Sequence, residues 1–263
     1  MTDDPISHPL IDFPPLVTVA GRAFYVEHGE TLRMHAAESI QAQALEDLTT
    51  ALAELIPFSP TALEPKPQIL EWGEDAVELA KANMPRRMQA FISSAVDNYQ
   101  TYVTDLFAAA LGVSSASVDD GLRDREYRGF SGKKRYATDR LGLALIEDPA
   151  VSIQVERAIA LRNSLVHRRG IVDEKLLGTL RRTGSDEGFE LGNRFAGNHH
   201  LAALTAVMEA VQDLDLRVME KFGLPGVAND RTEWLKPLVV FRSMRPTLSV
   251  DTLNHYPDWP ESV

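Results

Sequence analysis

The sequence predicts a mainly α-helical protein: a helical bundle over residues 73–222, preceded by a small extension (1–72) and followed by an irregular arm (223–263). Three observations carry that expectation. Residues 87–111 and 199–222 each repeat apolar side chains at three- and four-residue steps, the period of an amphipathic helix. Prolines cluster on the flanks, at Pro57, Pro60, Pro65 and Pro67 before the bundle and at Pro225, Pro237, Pro246, Pro257 and Pro260 after it, where they exclude regular structure. One short run, LVTVAGRAFYVE at 16–27, is rich in β-branched and aromatic residues around Gly21 and reads as a short β-hairpin.

The elements follow in order. Residues 32–56 carry Ala37, Ile40, Ala44, Leu45, Leu48, Leu52, Leu55 and Ile56 on one helical face. A short helix is expected from about Glu74 to Asn83, ending before Pro85. The helix at 87–111 has the clearest pattern: Met88, Phe91, Ile92, Ala95, Val96, Tyr99, Val103, Leu106, Phe107 and Ala110, with Gly112 as its stop. Residues 113–135 are polar and contain Gly121, Gly129 and Gly132, which suggests mostly loop. Helices are expected from Tyr136 to Glu147, before Pro149, and from Val151 to His167, before Arg168-Arg169-Gly170. Five glycines between 178 and 198 mark an excursion, and Asn198 is the expected cap of the last helix, whose apolar face is Leu201, Leu204, Val207, Met208, Val211, Leu214, Val218 and Phe222.

Composition restricts the function classes. The chain has no cysteine, which removes disulfides and thiolate metal sites and fits a reducing compartment. The acidic, proline-broken start MTDDPISHPL lacks the basic and apolar regions of a secretory signal, and no stretch has membrane-spanning length, so a cytoplasmic protein is expected. Net charge is −11, unfavourable overall for a nucleic-acid partner. The charge is segregated, however. Residues 122–140 carry a net +4 and residues 157–182 a net +5, leaving −20 on the rest. An anion site on an acidic body requires such a distribution, and two ordinary solvated loops would also produce it.

One helical segment, ERAIALRNSLVHRRG, holds Arg162, Asn163 and His167 among the apolar Ile159, Leu161, Leu165 and Val166. Asn163 and His167 are four apart and share a face. Arg162 lies about 140° round an ideal helix from His167. The two converge on one ligand only through the long arginine side chain or across a symmetric partner. A helix C-terminus favours a cation, histidine is the side chain that changes charge near neutral pH, and arginine presents a flat donor fork to phosphate. These groups suffice for RNA cleavage without a metal: the ribose 2′-hydroxyl attacks the adjacent phosphorus, histidine handles a proton, and arginine stabilises the phosphorane. Spacing alone equally describes a solvated helix end.

The segment resembles the signature of the HEPN superfamily: an arginine, then four to six positions of which the first is usually polar, then a histidine, near a helix end. Arg162, Asn163 and His167 match those places. The context is similar too, with a long amphipathic helix before the motif (87–111), a glycine soon after it (Gly170) and a long closing helix (199–222). The resemblance covers about half the chain. It implies a helical bundle that pairs as a homodimer to bring two motifs into one cleft. It also implies a metal-independent endoribonuclease without a cofactor, of the toxin or abortive-infection type in bacterial defence or stress response, acting on RNA and paired with an antitoxin or another defence-system protein. Arg162, Asn163 and His167 are then the catalytic set. The alternative within the same family is a non-catalytic module that binds RNA or a protein.

Around this set, Arg168 and Arg169 and the segment FSGKKRY with Lys133, Lys134 and Arg135 are candidate RNA-binding residues, mixing rings and charges as a single strand requires. A solvated basic loop has the same composition. His199 and His200 are adjacent and point about 100° apart on a helix, which does not suit a shared metal. Trp72, Trp234 and Trp259 lie outside the expected bundle and read as anchors for the extensions.

Overall fold

The computed structural model describes residues 14–31, 34, 68–195 and 199–229. In chain order these form a short strand β1 (Leu16–Val17), helix α1 (19–31), α2 (Gln68–Leu111), α3 (Ser115–Arg123), a 3-10 turn at Arg125–Tyr127, α4 (Gly129–Tyr136) running into a π-helical turn at Ala137–Leu141, α5 (Pro149–Arg168), α6 (Glu174–Arg182), α7 (His199–Phe222) and β2 (Val227–Ala228). The protein is mainly helical. Its two strands form one small antiparallel pair, Leu16 opposite Ala228 and Val17 opposite Val227. Among the described residues no helix is long and apolar enough to cross a membrane. The helix expected at 32–56, the cap at Asn198 and most of the C-terminal arm lie outside the described residues.

Helices α2, α5 and α7 make the bundle. α5 runs antiparallel to α2, with Arg162 meeting Asp97 and Gly170 lying beside Gln89. It is also antiparallel to α7: Arg157 meets His199 at one end, and Arg217 reaches Glu147 and the Ala144 carbonyl at the other. Two apolar clusters fill the space. The larger joins α1, α2, α3, α4 and α7 through Phe24, Tyr102, Phe107, Tyr136 and Leu214; the smaller joins α2, α5 and α6 through Ile92, Val96, Leu161, Leu176 and Leu180.

Of the residues read as a hairpin, Leu16–Val17 are strand β1, paired with β2, and 19–27 are helix. From Thr18 onward the buried positions are Thr18, Ala20, Gly21, Phe24, Tyr25, His28, Gly29 and Thr31, a stripe recurring at three- and four-residue steps, so tertiary packing of a helical stripe overrides the β propensity of the individual residues. Thr18 starts the helix, its hydroxyl accepting from the Gly21 amide at 2.9 Å. Its own amide and hydroxyl both donate to the buried Asp215 carboxylate, at 2.7 and 2.5 Å, and Tyr102 donates to the same group at 3.3 Å. Burial pushes the Asp215 carboxyl up, against the hydrogen bonds from Thr18 and Tyr102. Gly21 is required here: a Cβ would lie 2.7 Å from the Asp215 Oδ1 atom.

Three further expectations are corrected. α2 is continuous from Gln68 and passes through Pro85 rather than breaking before it, so Trp72, expected outside the bundle, lies within its first turns. Residues 113–135 are mostly helical. Ser114 caps α3 through the Ser117 amide, and of the three glycines that suggested loop Gly129 takes a positive φ of 73° before α4 while Gly121 and Gly132 are contact points. A Cβ at Gly132 would overlap the Tyr127 carbonyl, and one at Gly121 would press on the Tyr136 ring at 3.2 Å. The helix expected over 136–147 stops at Leu141, because Gly142 turns left-handed (φ 62°). Lys221 and Arg217 from α7 then donate to the carbonyls of Gly142 and Ala144, both at 2.8 Å, holding the segment open. Asp148 caps α5 through the Ala150 amide at 2.7 Å, with Pro149 in the first turn where its missing N–H costs nothing.

Candidate functional site

The site expected from sequence stands on the last turns of α5. Leu161 and Ser164 are buried and fix the helix against α2 and α6; Asn163 and His167 between them are exposed. Arg162 lies between the two classes, with 22 % of its side chain accessible, and faces α2. There its Nε donates to Asp97 Oδ1 at 3.0 Å, and Nη2 stands 2.7 Å from the same oxygen. Its Nη1 donates to the Asn163 side-chain oxygen at 3.3 Å. The guanidinium is thus oriented by one carboxylate and one amide. Asp97 is half exposed, so the pair contributes only about 0.5–1 kcal/mol to stability and acts chiefly through geometry.

Sequence reasoning missed Asp97. Its only mark in the sequence is that it lies off the apolar stripe of α2, next to Val96; the register of α5 against α2 is what brings it to Arg162. His167 is exposed and makes no hydrogen bond among the described residues. The structure therefore joins Arg162 with Asn163 and places His167 one turn further on, near but not bonded to them.

The helix end is rigidly built. The amides of Arg169 and Gly170 both donate to the Ser164 carbonyl, and the Ser164 hydroxyl donates to the Ile171 carbonyl at 2.8 Å. Residues 170–172 then pair with 192–195 through Val172 N to Asn193 O, Gly192 N to Val172 O and Phe195 N to Gly170 O, with an Ile171–Arg194 bridge between them. Arg168 is held to Asp173 at 3.5 Å, the carboxylate that caps α6. Arg169 is exposed.

The second basic group is elsewhere. Lys133, Lys134 and Arg135 occupy the last turn of α4. Lys134 donates to Ser152 at 2.6 Å and sits 4.7 Å over the Phe130 ring. Lys133 is half-buried and its ammonium is held below the usual lysine range by that burial, with Asp119 opposing. Arg135 is exposed. Ser152 precedes His167 by fifteen positions on α5, about 22 Å at the helical rise. The sequence-proposed RNA-binding residues thus divide between the two ends of α5.

A polar pair beside the smaller core was also missed. Arg157 donates to His199 Nδ1 at 3.2 Å, which requires a neutral imidazole as acceptor. The His199 ring stacks on Phe189 at 4.9 Å. Burial, then the Arg157 charge, lowers the His199 pKa, and burial lowers that of Arg157. His199 is thereby a packed helix start. Among the described residues no three His, Asp or Glu side chains gather in a way that would hold a metal ion.

No family model, curated protein or solved structure matches the chain at a significant level.

Proposed function

We propose that the chain is a metal-independent endoribonuclease of the HEPN type, working as a homodimer in bacterial defence or stress response. The observation that supports this reading best is the held Arg162: a guanidinium oriented by Asp97 and Asn163 on the accessible edge of α2 and α5, one helical turn from an exposed His167. In the proposed reaction a ribose 2′-oxygen attacks the adjacent phosphorus and the 5′-oxygen leaves. The 2′-oxygen loses its proton and the leaving 5′-oxygen gains one; His167 carries one of these transfers and water the other, while Arg162 stabilises the charge on the phosphorane. The products are a 2′,3′-cyclic phosphate and a 5′-hydroxyl end. A second copy of the chain, related by a two-fold axis, would supply the opposing motif that one helix cannot turn to the same ligand.

One observation favours a second reading. Asp97 already neutralises Arg162, and a guanidinium so paired suits a non-catalytic module that binds RNA or a protein through the same edge.

The test is RNA cleavage in excess chelator, with thermal melting on the same preparations. The wild type is expected to cut single-stranded RNA, leaving cyclic-phosphate ends, and to leave DNA intact. His167→Ala is expected to lower the rate by about 10² to 10⁴ with little change in melting, because the side chain is exposed. Arg162→Ala is expected to do nearly the same. A His167→Ala protein that cuts at the wild-type rate removes the site assignment, and a wild type that cuts no RNA leaves the non-catalytic reading.

A further inference from the structure

The turn that ends α5 uses an arginine where glycine is the less strained residue. Arg169 has φ 56° and ψ 33° and is the one non-glycine residue at positive φ among the described residues. In that region an L side chain crowds the following carbonyl, which is why glycine so often ends a helix. Packing explains Gly170, at φ 77°: a Cβ there would lie 3.3 Å from Leu165 Cδ2. It does not explain Arg169. Its side chain is exposed, and its amide bond to Ser164 is one that any residue other than proline makes.

The neighbouring charges separate Arg169 further. Arg162 is paired with Asp97, Arg168 with Asp173, Arg181 with Asp186 and Arg182 with Glu156. Arg169 has no carboxylate partner among the described residues. Neither has Arg194, which is exposed and sits across the bridge from Ile171, two residues beyond Arg169. Bridged residues have Cα atoms about 4.5–5.5 Å apart, so the backbone of Arg194 runs beside the turn that ends α5, and two exposed arginines without a carboxylate partner among the described residues stand on adjoining backbone segments there.

We propose that Arg169 and Arg194 form a phosphate clamp for single-stranded RNA, seating a backbone phosphate that flanks the one presented to His167. This inference rests on the ribonuclease reading and deepens it by naming where the strand is held. The left-handed backbone at Arg169 is strain kept at a binding position, as is found where a site rather than a fold dictates the conformation.

The experiment uses the full chain and a 2′-O-methyl RNA of about 12 nucleotides, which lacks the attacking hydroxyl and so survives the measurement. Melting and RNA binding across a salt series are read for the wild type, Arg169→Gly, Arg169→Lys and Arg194→Ala. Arg169→Gly is expected to melt about 2–4 °C higher, since the strain is relieved. It is also expected to bind RNA about tenfold more weakly, with a salt slope flatter by about 0.7. Arg194→Ala should weaken binding similarly without the rise in melting, and Arg169→Lys should keep the slope. A residue serving only the turn would move the melting temperature alone. If the wild type binds RNA and Arg169→Gly binds it with the same affinity and slope, the clamp is overturned while the ribonuclease reading stands. If the wild type binds no RNA, or polyglutamate of matching length competes as well as RNA does, both are overturned.

Discussion

His28 makes the stability of the bundle depend on pH in a way that a single substitution exposes. The side chain is fully buried on α1, stacked on Phe24 at 4.9 Å, and neither ring nitrogen has a hydrogen-bond partner among the described residues. Burial lowers its pKa from 6.5 to about 4. A histidine whose folded pKa is depressed contributes its full share of stability above the unfolded value and loses it as pH falls toward the folded one. Here that window runs from 6.5 down to about 4. At pH 4.5 the unfolded chain holds the proton and the native state largely refuses it, a difference worth about 2.5 kcal/mol. Replacing His28 by leucine keeps an apolar group of similar bulk and removes the titration. The variant should match or exceed the wild type at pH 7.5, since no hydrogen bond is lost. At pH 4.5 its advantage should widen by about 5–10 °C in melting temperature. Thermal melts of both proteins from pH 7.5 to 4.5 measure this. Other titrating groups are common to both, Asp215 included, and cancel in the difference. Melting curves that fall in parallel with pH would show that His28 accepts a proton in the native state and that the reasoning is wrong.

Other consequences follow from the same packing. Gly21→Ala forces a methyl group onto the Asp215 carboxylate and should lower the melting temperature by about 4–8 °C through loss of the Thr18 contacts; an unchanged melt would mean that α1 is not docked on α7. Asp97→Ala removes a half-exposed pair and should shift melting by less than about 3 °C, yet slow RNA cleavage about 10- to 100-fold because Arg162 loses its orientation; equal rates would assign Asp97 to the surface alone. Changing Lys133, Lys134 and Arg135 together to alanine should weaken RNA binding and flatten its salt dependence with little change in turnover at saturation. Because Lys134 is tied to Ser152 and Lys133 is half-buried, Arg135→Ala alone provides the control in which stability is untouched; an unaltered salt slope in both would leave α4 outside the RNA path.

The parts of the fold that were legible in the sequence are those whose pattern is local. α7 and α5 show themselves by period, although α5 begins at Pro149, capped by Asp148, two residues before the expected Val151. α1 was misread because Val17, Val19, Phe24, Tyr25 and Val26 are strand-favouring residue by residue, while the buried spacing of Ala20, Phe24 and His28 is helical. α3 and α4 were hidden by Gly121 and Gly132, whose role is close approach to Tyr136 and to the Tyr127 backbone rather than a turn. Neither distinction can be made without knowing which segment lies opposite. Of the candidate site, Arg162, Asn163 and His167 could be named from the sequence because they interrupt an apolar helix. Asp97, 65 positions away from Arg162, and Asp215, 197 positions from Thr18, could not, since only tertiary register creates those contacts.

The same register revises the electrostatic argument. Residues 157–182 carry seven basic groups and a net +5 when counted along the chain. In the folded protein four of the seven are paired, and three of the acidic partners, Asp97, Glu156 and Asp186, lie outside that stretch. A linear count therefore overstates the charge available to a phosphate backbone. Of the other three, Arg157 donates to His199 and Lys175 lies on α6, so Arg169 is the one left at the end of α5, joined by Arg194, which the count omitted. Each phosphate contact on a single strand contributes about 0.7 to the salt slope, so the end of α5 is expected to give a shallow salt dependence rather than the steep one suggested by +5. An acidic body of net charge −11 is compatible with such a site. Attraction is confined to a few oriented guanidiniums, and the surrounding carboxylates repel strands that do not reach them, so binding at this edge should depend on placement more than on bulk charge.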